Sequence, residues 1–193
     1  VGRVPLPCYI REGLSEPGDR ERYQTVYARV PGSAAAPTAG LHLSDRLLTR
    51  LGDRGIAVAR VTLHVGLDTF RPIGVERLDE HHMHSEWGEL EADAAAQLRD
   101  ARARGGRVVA IGTTSVRVLE TAARGGELGP WRGQTDLFIR PPYKFRGIDA
   151  LLTNFHLPRS TLLVLVRTFG GYELVQRAYD EAIRERYRFY SYG

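Results

Sequence analysis

Arg107-Val108-Val109-Ala110-Ile111-Gly112-Thr113-Thr114-Ser115-Val116-Arg117 runs from an unbroken apolar stretch into a glycine, three hydroxyls and the start of a helical pattern. Residues 107–111 read as a strand covered on both faces, as in a parallel sheet, and are predicted to lie near the sheet centre. Residues 116–123 read as a helix with Val116, Leu119 and Ala123 on one face. A strand that feeds a helix through such a turn aims free backbone N–H groups and the helix dipole beyond the strand end. Gly112, Thr113, Thr114 and Ser115 suit an anion there. Arg117, in the first turn, opposes the dipole unless a negative group lies close. Its local alternative is a pair with Glu120 along the helix.

Working outward, strands and helices alternate. Ser44 or Asp45 caps a short helix through Leu47, Leu48 and Leu51, and Gly52 or Gly55 ends it. Residues 56–65 alternate with β-branched side chains and read as a strand. Residues 92–103 form a helix by composition, stopped by Gly105 and Gly106. Residues 137–139 and 148–153 read as further strands. Residues 160–169 are apolar on nearly all sides, and Pro158 before them with Gly170 and Gly171 after them favours a helix. A last helix over 173–187 is predicted to turn Leu174, Val175, Ala178, Ala182 and Ile183 to one face. The alternation predicts an α/β domain with a largely parallel sheet and flanking helices, over residues 23–193. Residues 1–22, rich in proline, glycine and charge, read as a connector from a second domain.

Composition narrows the function classes. Of 193 residues, 42% are apolar and 26% charged, which excludes a disordered tail and a collagen-like fibre. Cys8 is the single cysteine, so there is neither an internal disulfide nor a cysteine-based zinc site. The longest apolar run, Leu162-Leu163-Val164-Leu165-Val166, is too short to span a bilayer. The chain does not open with a basic start and a long apolar stretch, so no secretory signal is predicted and a cytoplasmic monomer is expected. Residues 139–193 hold eight Arg and one Lys against five acids, which accounts for the whole +4 charge. That asymmetry favours an anionic partner such as RNA. The near-exclusive use of arginine, with Lys144 the single lysine, reads equally as composition bias.

Further segments carry chemistry. Ala36-Pro37-Thr38-Ala39-Gly40-Leu41-His42 combines small residues, which let a ligand approach the backbone, with an imidazole. His64 falls on a different face from Leu63 and Val65, and residues 66–71 add Asp68, Thr69 and Arg71 after Gly66. His81-His82-Met83-His84-Ser85-Glu86 has the pattern of a metal site on a strand but offers no third convergent ligand, so a hydrogen-bonded His84–Glu86 pair facing a substrate, without metal, is expected. Leu152-Thr153-Asn154-Phe155-His156-Leu157-Pro158 ends a strand in an amide, an aromatic ring and an imidazole, a set suited to a flat heterocycle. Tyr143-Lys144-Phe145-Arg146 alternates aromatic and basic side chains after Pro141-Pro142, so in an extended chain one face packs or stacks and the other meets phosphate. No Walker A loop, dinucleotide fingerprint or nucleophile elbow is present.

Six segments, Tyr23-Gln24-Thr25-Val26-Tyr27-Ala28, the 36–42 loop, Val61-Thr62-Leu63-His64-Val65-Gly66, Met83-His84-Ser85-Glu86, the glycine–threonine turn at 112–117 and the 152–158 strand end, resemble in their order the S-adenosylmethionine:tRNA ribosyltransferase-isomerases of queuosine biosynthesis. The resemblance runs from about Arg3 to Gly193. It implies transfer of the ribosyl part of S-adenosylmethionine, as substrate, to an aminomethyl-deazaguanine base of tRNA. The implied product is epoxyqueuosine, with adenine and methionine released, and no metal is implied. On this resemblance His42, His64, His84 and Glu86 are candidate proton carriers. Pro37, Thr38, Gly40, Gly66, Thr69, Gly112, Thr113, Thr114, Ser115, Arg117, Asn154, Phe155 and His156 are candidates for binding S-adenosylmethionine. The loops at 36–42, 66–71, 112–117 and 154–156 are expected to face one cleft, and Tyr143, Lys144, Phe145 and Arg146, by their alternation of aromatic and basic side chains, are candidates for binding tRNA beside it. The family carries a long portion ahead of this segment, partly a β-barrel, and a short tail beyond it. It usually has Ala-Gly where Leu67-Asp68 stand, a Phe where Leu43 stands, and Ser-Ala-Phe-Ala-Gly where Arg167-Thr168-Phe169-Gly170-Gly171 stand. The competing reading is a non-catalytic RNA- or nucleoside-binding paralogue, or an inactive fragment.

Overall fold

The computed structural model describes residues 4–66 and 73–190. Its centre is a helix. α4 (Gly112–Ala122) buries Val116, Val118 and Leu119 and touches all five strands of the described residues. The strands form two sheets. β1 (Thr62–His64), β2 (Glu86–Leu90) and β4 (Trp131–Thr135) pair antiparallel in the order β1-β2-β4, with His64 opposite Trp87 and Glu86 opposite Thr135. β3 (Val109–Ile111) and β5 (Ala150–Leu152) pair in parallel, Val109 opposite Ala150. The protein is therefore mixed α/β.

The expectation of a largely parallel sheet is corrected by this topology. β2 and β4 escape the apolar pattern because their sequences, Glu86-Trp87-Gly88-Glu89-Leu90 and Trp131-Arg132-Gly133-Gln134-Thr135, carry charge and glycine. Residues 137–139, read as a strand, join no ladder, although Leu137 and Ile139 are buried in the core. The central position predicted for residues 107–111 is also corrected. β3 pairs with β5 alone among the described residues; Val108 and Ala110 are buried, whereas Val109 is 50% exposed. Of the run 56–65, only Thr62–His64 is laddered.

The helices follow their caps. Ser44 Oγ accepts from the Leu47 amide at 3.2 Å and starts α2 (Asp45–Asp53). α3 (Ala92–Ala103) ends before Gly105 and Gly106. Ser160 Oγ accepts from the Leu163 amide at 3.2 Å and starts α5 (Thr161–Gly170), the helix expected there. In α6 (Tyr172–Arg184) the buried stripe is Val175 and Ala182, while Leu174 and Ile183 face solvent, against the predicted face. Near the start, α1 (Asp19–Arg22) holds the buried Asp19 carboxylate, which pairs with Arg11 and accepts the Glu16 amide at 2.7 Å. Leu6, Ile10 and Tyr23 make a small second apolar cluster. No helix among the described residues is long and apolar enough to cross a membrane.

Candidate functional site

A cavity of about 250 Å³ opens where three loops distant in sequence meet. Its walls come from residues 35–39, 112–114 and 153–158, with Glu86 and Arg117 also in the lining. Gly112, Thr113 and Thr114 open α4, so that helix presents its first turn and two hydroxyls to the cavity.

Arg117 finds its negative group in Glu86. The two form a buried ion pair through Nη1 and Oε2, and Arg117 Nη2 donates to the Thr135 carbonyl at 3.2 Å. The pairing of Arg117 with Glu120 along the helix is not what the fold makes. Glu86 Oε1 takes two further donors, the Gly66 amide at 3.1 Å and His84 Nε2 at 2.9 Å. The His84–Glu86 bond expected from the sequence is thus present and fixes the imidazole ring, but of the two residues only Glu86 lines the cavity. Arg117 Nε is buried without a hydrogen-bond partner among the described residues.

Across the cavity Asn154 ties two loops together. Its Nδ2 donates to Thr38 Oγ1 at 3.1 Å, and its Oδ1 lies 3.1 Å from His42 Nε2. His156 Nε2 lies 2.8 Å from Thr153 Oγ1, and its amide donates to the Tyr179 hydroxyl at 2.7 Å. Burial pushes the His156 imidazole down to about 4, so the ring is neutral at physiological pH. Phe155 lines the cavity but is also packed, 5.0 Å from the stacked Phe189 ring and 5.1 Å edge-on from Tyr179.

Of the expected residues, Pro37, Thr38, Glu86, Gly112, Thr113, Thr114, Arg117, Asn154, Phe155 and His156 line this one cavity. Others do not. His64 stacks on Trp87 at 5.1 Å, a packing contact in the antiparallel sheet. Gly40 is buried under the Tyr27 phenol, and the close approach its missing side chain permits is to that ring. Ser115 Oγ donates back to the Ile111 carbonyl at 2.8 Å within its own helix. His42 is exposed and reaches the cavity through Asn154. Gly66 contributes its amide to Glu86, and Thr69 lies outside the described residues. None of residues 143–146 lines the cavity; Tyr143 and Phe145 face the core, while Lys144 and Arg146 are exposed. Among the described residues no three His, Cys, Asp or Glu side chains converge to hold a metal ion. Sequence reasoning missed Tyr9 and Tyr23 in the lining. Neither carries a local chemical signal beyond its aromatic ring.

The sequence matches the family described as Queuosine biosynthesis protein over residues 1–193. It is 60% identical over 193 residues to the S-adenosylmethionine:tRNA ribosyltransferase-isomerase of Anaeromyxobacter dehalogenans, and 57% identical over 194 residues to that of Symbiobacterium thermophilum. Each alignment takes in 100% of this chain and 56% of the relative, so the chain spans little more than half the length of the curated proteins it matches. The crystal structure of an S-adenosylmethionine tRNA ribosyltransferase from Thermotoga maritima superposes with a TM-score of 0.67 at 46% identity, over 81% of this chain and 50% of that one. With its whole length matched and its fold shared, the chain belongs to the queuosine biosynthesis protein family.

Proposed function

We propose that this chain supplies the cavity in which the ribosyl part of S-adenosylmethionine is transferred to an aminomethyl-deazaguanine base of tRNA and isomerised to epoxyqueuosine, with adenine and methionine released. The observation that carries the reading is convergence. Three separate stretches by which the chain resembles the family, around Thr38, Thr113 and Asn154, wall one cavity. The relatives named for this activity support the same reaction.

The substrate's sulfonium acidifies the adjacent 5′ carbon and makes methionine a leaving group. The protein must then supply a proton carrier, a grip on the purine and an anchor for the anionic end. His84 is the carrier we favour: it is not itself in the lining, but Glu86, which is, holds its Nε2 and leaves Nδ1 as the ring nitrogen able to take a proton. Glu86 is itself held by Arg117 and the Gly66 amide, so its role is to orient His84. Asn154, steadied by Thr38 and His42, presents an amide edge to a heterocycle, with His156 beside it. Thr113, Thr114 and the unpartnered Arg117 Nε suit a carboxylate or phosphate.

The test is adenine release, measured chromatographically, from S-adenosylmethionine and tRNA bearing the aminomethyl base, using the complete gene product. Release that His84→Gln abolishes supports the reading. Binding of both substrates without adenine release replaces it with a non-catalytic binding module.

A further inference from the structure

Glu120 lies on α4 with 1% of its surface exposed, and none of its hydrogen bonds serves the cavity. Its carboxylate grips a single segment. Oε1 accepts the Gly147 amide at 2.9 Å, and Oε2 accepts the Arg146 amide at 3.0 Å and the Tyr143 hydroxyl at 3.1 Å. Burial and the nearby carboxylate push the Tyr143 phenol up, which keeps it a donor. From the other side Arg102, in the last turn of α3, donates to the Arg146 carbonyl at 2.6 Å. Arg102 is held in turn by Asp149, whose second role is to accept the Val108 amide at 2.7 Å. Phe145 adds an apolar anchor, 4.9 Å edge-on from Phe169 of α5. A side chain on Gly147 would meet the Leu119 carbonyl oxygen at 2.7 Å, so glycine alone allows the segment this close to α4.

Three helices thus fasten the inner side of residues 143–147, along which burial alternates so that the side chains of Lys144 and Arg146 are exposed. Residues two apart in sequence reach at most roughly 7 Å from one another, a span that covers the spacing of successive phosphates on a strand. A buried carboxylate that takes both amides at one point is a large commitment for a surface loop, because a buried charge must be fully hydrogen-bonded to be tolerated. The result is a preorganised pair of cations, which reduces the ordering entropy lost on binding.

We propose that Glu120 is a positioning residue for RNA, fixing residues 143–147 against α4 so that Lys144 and Arg146 meet two successive backbone phosphates. The inference rests on tRNA being the partner. The experiment measures binding of a tRNA transcript to the full chain across a salt series, for the wild type, Glu120→Gln, Lys144→Ala/Arg146→Ala and the triple variant. Glu120→Gln replaces one accepting oxygen with an amino group and is expected to lower the log–log salt slope by roughly 0.7–0.9 for each phosphate no longer neutralised. In the Lys144→Ala/Arg146→Ala background it is expected to change nothing further, because its effect runs through those two side chains. Gly147→Ala displaces the same segment without altering charge and is expected to lower the slope likewise. It also keeps the test open should Glu120→Gln fail to fold. A role confined to stability would lower the melting temperature and leave the slope unchanged. An unchanged slope in both single variants, or effects equal in the two backgrounds, overturns the proposal while tRNA as partner stands. Absence of salt-dependent tRNA binding by the wild type overturns tRNA as partner, and this inference with it.

Discussion

Arg117 and Glu86 stand 31 positions apart and meet in a buried ion pair. The sequence showed that Arg117 needed a negative neighbour, but the nearer acid, Glu120, is committed to the 143–147 segment. Partner choice of this kind is tertiary, and no local spacing encodes it. Removing Arg117 leaves a buried carboxylate without its guanidinium. Arg117→Met is therefore expected to destabilise the fold by about 3–5 kcal/mol, measured by urea denaturation. Arg117→Lys should recover only part of that, since a point charge cannot serve both Glu86 and the Thr135 carbonyl. His156 makes a second prediction. Its imidazole is held near 4 in the fold, against 6.5 in the unfolded chain. Between those values the unfolded chain takes a proton that the folded chain does not, so stability falls as pH drops from 6.5 towards 4. The loss attributable to this group is about 3 kcal/mol at the acid end, with no contribution above pH 6.5. His156→Gln should flatten the stability profile in that window, and an unchanged profile would assign the acid sensitivity elsewhere.

At the scale of elements, the helices were legible because their signals are local: the serine cap at 44, Pro158 and the glycines at 170 and 171 around α5, and the glycines at 105 and 106 after α3. The strands were legible only where their own residues are apolar. β2 was hidden because the packing above Gly88 is supplied by its neighbours; a side chain there would meet Leu63 at 2.9 Å and Trp131 at 3.0 Å. An alternating pattern cannot reveal apolar contact that comes from adjacent strands. β3 shows the opposite error. Its continuous apolar run suggested cover on both faces, yet the burial alternates, with Ala110 inward and Val109 outward. Two substitutions separate these readings. Val109→Thr is expected to change stability by less than about 0.5 kcal/mol, as at other exposed positions. Ala110→Leu, which inserts a larger side chain into a packed core, should cost about 1–3 kcal/mol. Equal and large effects at both positions would restore the view of β3 as a strand buried on both faces.

For the whole molecule, the candidate site exists only when the chain is folded. Thr38 and His42 reach Asn154 across 116 and 112 residues of sequence, and α4 brings the third wall between them. The ordered motifs made the membership of this cavity readable, because each places hydroxyl, amide or imidazole groups on a loop beside a strand or helix end. Which of them face inward was not readable. His64 and Ser115 carry the same chemical types as the lining residues but are turned into packing and into a helix. A ligand that bridges all three walls binds only the native state, so it must stabilise the fold by mass action. S-adenosylmethionine at a hundred times its dissociation constant is expected to add about 2.7 kcal/mol. For a chain of this size that corresponds to a rise in melting temperature of roughly 5–10 °C. Thr38→Val, which removes the oxygen that receives Asn154 Nδ2, should weaken binding and shrink the rise at the same ligand concentration. In a urea series, bound ligand and helical circular dichroism should vanish together, because the walls cannot separate without unfolding the elements that carry them. A melting temperature indifferent to S-adenosylmethionine would mean that this cavity, though assembled from the family's motifs, is not where that substrate binds in this chain.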